Sequence, residues 1–160
     1  MNSRELLSRI QVQSRQRRYR IYRDSVALFC DAILQSLDES ERALSVAFVS
    51  ARQMRSLSRR YLQRDYATDV LSFSYGRISV DNLPFLGEIV IAPEIAVNHA
   101  SRSRTCPERE LKILLVHGIL HLLGYNHETD QGQMKRFQNR LQRRKFFAQA
   151  PPLADLDVYQ

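Results

Sequence analysis

Apolar positions change their period several times along this chain. Ile10-Gln11-Val12-Gln13 alternates in steps of two, the period of a strand with one covered face. From about Arg17 to Leu37 the apolar residues Ile21, Val26, Phe29, Ile33 and Leu37 recur at helical spacing. Ala43–Val49 reads as a second strand, and an arginine-rich helix from Ala51 to Tyr61 should follow it. Val70–Tyr75 and Gly87–Ala92 read as two further strands, separated by a turn-rich stretch around Asp81, Asn82 and Pro84. Pro93 and Glu94 suit the first turn of a helix. Thr105-Cys106-Pro107-Glu108 has the form of a capping box opening another. That helix runs through Leu111, Leu114, Leu115 and Ile119 and should stop at Gly124. Met134, Phe137 and Leu141 mark a last helix, and Pro151-Pro152 begins a segment expected to be loose. Four short strands mixed with about five helices predict a single α+β domain over residues 1–148, with 149–160 as a C-terminal tail.

Composition changes this picture in one respect. The chain has 160 residues and a net charge of +7, and 21 of its 24 basic residues are arginine. Arginine's planar fork suits bidentate phosphate contact, so either a nucleic-acid surface or a well-solvated basic surface fits. Two cysteines, Cys30 and Cys106, match neither a disulfide scaffold nor a zinc knuckle. The N-terminus has no apolar stretch of signal-peptide type, and no run approaches the roughly 20 residues needed to span a bilayer. A monomeric cytoplasmic protein without membrane contact is the expectation.

Three of the four histidines fall within His117–His127, in the string HGILHLLGYNH. His117 and His121, four apart, share one face of the capped helix, so both imidazoles can reach one ion. Gly124 lets the chain leave the helix in a left-handed conformation, and His127 can then swing back to the same point. Three imidazoles with an open fourth position are the donor set of a catalytic zinc site. Zinc, one ion per chain, is the expected metal. The spacing is also that of the metzincin proteases, whose glutamate after the first histidine is the general base. Here that position is Gly118, which can neither take a proton nor orient a nucleophile. Peptide hydrolysis by that route is therefore disfavoured.

The same string resembles the signature of the YbeY family of bacterial endoribonucleases and ribosomal-RNA maturation factors. His117, Gly118, Leu120, His121, Leu122, Gly124, Tyr125 and His127 match it, and Asn126 departs, standing where the family has aspartate. Tyr61–Phe73 and Leu86–Ile91 are similar to two further family segments. The resemblance implies a mixed four-stranded sheet flanked by helices, with zinc bound by His117, His121 and His127 at the end of a cleft. It implies a zinc-dependent, single-strand-specific endoribonuclease acting in ribosomal-RNA maturation and ribosome quality control, with RNA and ribosomal proteins as partners. A second departure is Leu62, where the family has an arginine thought to work on the RNA phosphate.

Phosphodiester hydrolysis needs an activated water and cations on the phosphoryl oxygens. Arg59, Arg60 and Arg64 are the candidates to hold the phosphate, against a solvated helix face. Thr68, Asp69 and Ser72 are expected to shape the cleft, and Asp69 alternatively serves as a turn residue. Asn126 keeps the hydrogen-bonding shape of aspartate but cannot act as a base, and Glu128 is the nearest alternative acid. Lys135, Arg136, Arg140, Arg143, Arg144 and Lys145 read as an outer solvated face, while Arg15, Arg17, Arg18 and Arg20 either touch RNA or stay hydrated. The competing reading is a non-catalytic RNA- or ribosome-binding assembly factor with a structural zinc, toward which Leu62 and Asn126 both point.

Overall fold

The structure, a computed structural model, describes residues 3–157. A short helix α1 (Ser3–Arg9) leads into strand β1 (Ile10–Ser14), followed by β2 (Arg20–Ile21), helix α2 (Arg23–Ser36) and β3 (Ala43–Phe48). Helix α3 (Ala51–Leu62) precedes β4 (Val70–Phe73), β5 (Ser79–Val80) and β6 (Leu83–Ile91). Helices α4 (Pro93–Ser103), α5 (Pro107–Leu122), α6 (Gln133–Gln142) and α7 (Lys145–Gln149) complete the chain before β7 (Ala154–Asp155). The main sheet runs β1-β3-β6-β4, with β1, β3 and β6 parallel and β4 antiparallel at one edge. This is the expected mixed four-stranded sheet in an α+β domain, with two small additions: β5 forms a hairpin with β6, and β2 pairs with β7.

Alternation along the strands sorts the core into two layers. Val46, Phe48, Ile89 and Ile91 face α2 and α5, where Phe29, Ile33, Leu111, Leu115 and Ile119 are buried against them. Ala47, Val49, Val90 and Leu71 point the other way, onto Met54 and Leu57 of α3 and Ile95 of α4. α5 is therefore the apolar central helix on one face, and α3 lies on the opposite face with its arginines outward.

Several expectations need correction. The helix expected from Arg17 begins at Arg23, because Arg20–Ile21 is recruited as a strand and Tyr22 donates its N–H to Leu153. The tail expected to be loose is instead docked as far as Leu156: Leu153 is fully buried, Ala154–Asp155 pairs with Arg20–Ile21, and Leu156 packs against the core. Residues 158–160 lie outside the described residues. The expected capping box does not form. Cys106 is the N-cap without a side-chain bond, and the Glu108 carboxylate accepts the Leu153 N–H at 2.7 Å instead. The turn-rich stretch around Pro84 is a hairpin whose two corner residues, Asp81 and Asn82, have φ of 50° and 64°, and β6 extends back through Pro84. Such paired positive φ values suit the twist of adjoining strands. Helices number seven among the described residues, against about five expected.

Candidate metal centre

His117 and His121 leave α5 one turn apart, and their Nε2 atoms come to 3.0 Å of each other. The helix then ends in a Schellman arrangement: Tyr125 N–H reaches the Leu120 carbonyl and Gly124 N–H the His121 carbonyl. Gly124 has φ of 95°, a conformation that costs a side-chain-bearing residue energy. The following loop is shaped by Asn126, whose side-chain oxygen accepts the Glu128 N–H at 2.9 Å and whose carbonyl accepts the Asp130 N–H. This turn returns His127 to the pair, with ring centroids 5.5 Å from His117 and 5.4 Å from His121. One nitrogen from each of the three rings lies within 4.8 Å of the others.

The donor set fits a metal. Tetrahedral geometry with bonds of about 2.0–2.1 Å to nitrogen separates two ligand atoms by about 3.3 Å, close to the His117–His121 spacing. Gln138 on α6 places its Oε1 3.3 Å from His117 Nδ1. An amide oxygen only accepts, so Nδ1 carries the proton and Nε2 keeps its lone pair for an ion. Burial, and next the charge of the neighbouring His121, hold His117 below the usual histidine range. Burial and His127 do the same for His121, opposed by a hydrogen bond to the Tyr125 backbone and by Glu128. Neutral rings are the form that binds metal.

Gly118 has a structural reason. A Cβ there would lie 2.9 Å from both Cδ1 and Cγ2 of Ile89, a fully buried residue of β6. The glycine lets α5 approach the sheet closely. Its carbonyl accepts the Ser72 hydroxyl at 3.3 Å, which ties edge strand β4 to the turn of α5 that carries His117.

The other sequence candidates are distributed as follows. Asp69, at the entry to β4, has Oδ2 3.1 Å from His99 Nδ1 on α4, and its charge acts on both His117 and Glu110. Glu128 is exposed and acts on His121 through space. Arg59 is tied to Asp65, which also takes a two-point contact from Arg55 at 3.0 and 3.1 Å. Arg60 lies against Tyr61, 5.4 Å from its ring centre. Arg64 is exposed, with its N–H bonded to the Ser58 carbonyl. Leu62 is 41% exposed at the end of α3. No hydrogen bond or ion pair among the described residues joins these three arginines to the histidines. Sequence reasoning missed Gln138 and the Asp69–His99 pair. Gln138 was accessible in principle, since it falls on the inward stripe of α6 with Met134 and Leu141.

Fold and site together define an α+β domain built around three histidines, on and just after its central helix, that could hold a metal ion. The family model described as Endoribonuclease YbeY matches residues 10–145, and the chain belongs to the YbeY family. It is 32% identical over 140 residues to a protein named endoribonuclease YbeY of Syntrophus aciditrophicus, covering 86% of this chain and 88% of that protein. It is 34% identical to the Aquifex aeolicus protein of the same name, over 82% and 85% of the two chains. The solution structure of a Thermotoga maritima protein superposes with a TM-score of 0.53 at 25% identity, covering 82% of this chain and 85% of that one. Among the described residues no helix is long and apolar enough to cross a membrane.

Proposed function

We propose that this chain is a zinc-dependent, single-strand-specific endoribonuclease that cleaves ribosomal RNA during maturation and ribosome quality control, acting as a cytoplasmic monomer. The convergence of His117, His121 and His127 carries the reading, supported by membership of a family of endoribonucleases. A divalent ion held by the three imidazoles supplies Lewis acidity toward water and a phosphoryl oxygen. The protein's own contribution is to favour the neutral form of His117 and His121, to aim His117 through Gln138, and to hold β4 against α5 through Ser72. Glu128 is the acid placed to accept a proton beside His121, and Asn126 shapes the loop that carries both Glu128 and His127. Arg64, just after α3, is the one of the three candidate guanidiniums left to meet phosphate, since Arg59 is engaged by Asp65 and Arg60 lies on Tyr61. Asp69 and Ser72 border the substrate's path along β4.

The test incubates the purified protein with structured ribosomal RNA, with and without a zinc chelator, beside a His121→Ala control. Cleavage lost in both controls supports the reading. Cleavage that survives both removes the histidine centre from the reaction. The alternative, a non-catalytic assembly factor with a structural zinc, draws on Leu62, an apolar side chain at the position of the family's arginine. It predicts stoichiometric metal and RNA binding without cleavage.

A further inference from the structure

Helix α6, the link after it and the start of α7 carry Lys135, Arg136, Arg140, Arg143, Arg144 and Lys145, and no acidic residue occurs from 131 to 154. Elsewhere Arg9, Arg18, Arg42, Arg55 and Arg59 are each paired with a carboxylate. None of the six has such a partner among the described residues. The nearest acid, Asp130, is engaged at the start of α6, accepting N–H groups from Gly132 at 2.6 Å and Met134 at 2.8 Å. It reaches Arg136 only through space. Arg136 and Arg140 stand four residues apart on α6, a like-charge spacing that destabilises a helix left to itself.

Four of these cations, the arginines, line a concave strip. Arg136, Asn139, Arg140, Arg143 and Arg144 border a groove of about 670 Å³. A second groove of about 480 Å³ shares Arg136 and Arg140 and continues to Tyr125, two residues before His127. Two guanidiniums are held in place. Arg140 lies 4.5 Å from the centre of the Phe137 ring, and Arg136 donates to the Gln131 carbonyl at 3.0 Å. Gln138, from the same helix, is the residue that orients His117.

We infer that this strip binds the sugar–phosphate backbone of RNA flanking the bond to be cut and leads it toward the histidine centre, an inference that rests on the endoribonuclease reading. The strip is made of arginine, whose fork pairs with phosphate oxygens, and its second groove reaches Tyr125, on the loop that goes on to His127. Its contacts are to backbone and therefore independent of base sequence.

The experiment measures binding of labelled oligouridylate to the metal-loaded protein between about 50 and 200 mM salt. The variants are Arg136→Gln/Arg140→Gln/Arg143→Gln/Arg144→Gln and, should that fail to fold, Arg143→Gln/Arg144→Gln alone. Each phosphate contact to a single strand contributes about 0.7 to the slope of log affinity against log salt. The fourfold variant should therefore lose about 2–3 from that slope and the twofold variant about 1.4, with metal content unchanged. Arg4→Gln/Arg23→Gln/Arg52→Gln/Arg102→Gln, at exposed arginines away from the strip, is the matched control. An equal loss in that control means generic charge and overturns the inference, as does an unchanged slope in the α6 variants. Equal affinity of the parent for an acidic peptide would make the strip a protein-docking surface and also overturn it. Cleavage is scored separately. If RNA is cut but the slope is unaffected, the track fails and the nuclease stands; if the slope falls but the parent never cuts RNA, the nuclease fails and the strip remains an RNA-binding surface.

Discussion

Replacing Gly118 by alanine tests why a three-histidine motif of protease-like spacing has no acid after its first ligand. The new methyl would sit 2.9 Å from two carbons of Ile89 and 3.1 Å from a third. Ordinary carbon–carbon contact is about 3.5–4.0 Å, so helix or strand must move by about half an ångström or more. Ile89 is β-branched and fully buried, so it cannot swing aside. Overpacking of this kind costs about 1–3 kcal/mol, while alanine in place of a mid-helix glycine returns about 1 kcal/mol. The net expectation is a loss of about 0–2 kcal/mol, or up to roughly 8 °C in Tm for a domain of this size. A thermal or urea double-mutant cycle with Ile89→Ala separates the two terms. Removing the Ile89 side chain deletes the clash, so Gly118→Ala should become stabilising in that background, with a coupling of about 1–3 kcal/mol. Metal content measured alongside reports whether the displaced helix still presents His117. Gly118→Ala stabilising the otherwise unaltered protein by about 1 kcal/mol would refute close packing as the reason for the glycine.

Three further outcomes follow from the same geometry. If a cation at position 62 steadies the scissile phosphate, Leu62→Arg should raise RNA cleavage by up to about 10²-fold without changing metal content, and no change would show that other groups handle the phosphate. Burial, and next the charge of Asp31, push the Cys30 thiol up to about 12, whereas Cys106 is exposed, so alkylation at pH 8 should modify one cysteine in the folded protein and two after denaturation. Because His117 and His121 titrate below the 6.5 of a free histidine, the unfolded chain takes up protons that the metal-free folded protein resists. The stability of that form is then full above about pH 6.5 and should fall as pH drops through the lowered values; a Tm flat from pH 8 to 5 would contradict this.

What the sequence determined by itself was what depends on local periodicity. Alternation in Ile10–Gln13 and the short apolar runs Ala43–Val49 and Gly87–Ala92 specified strands, the i, i+4 spacing of His117 and His121 specified one helical face, and Gly124 specified where that helix must end. Those short-range rules were enough to bring the three histidines together, because all three lie within eleven residues. Elements that depend on distant partners were not readable. Arg20–Ile21 is a strand only because Ala154–Asp155 returns to it, and Glu108 lost its capping role to Leu153, 45 residues away. Gln138 reaches His117 only once α6 packs on α5, and the Asp69–His99 pair exists only because β4 and α4 meet. The arginines divide the same way. Their number is in the sequence, but which are neutralised, as Arg59 is by Asp65, and which stay unpaired along α6 is decided by tertiary packing. Periodicity is a property of neighbours in the chain, whereas ion pairs and ligand orientation are properties of neighbours in space.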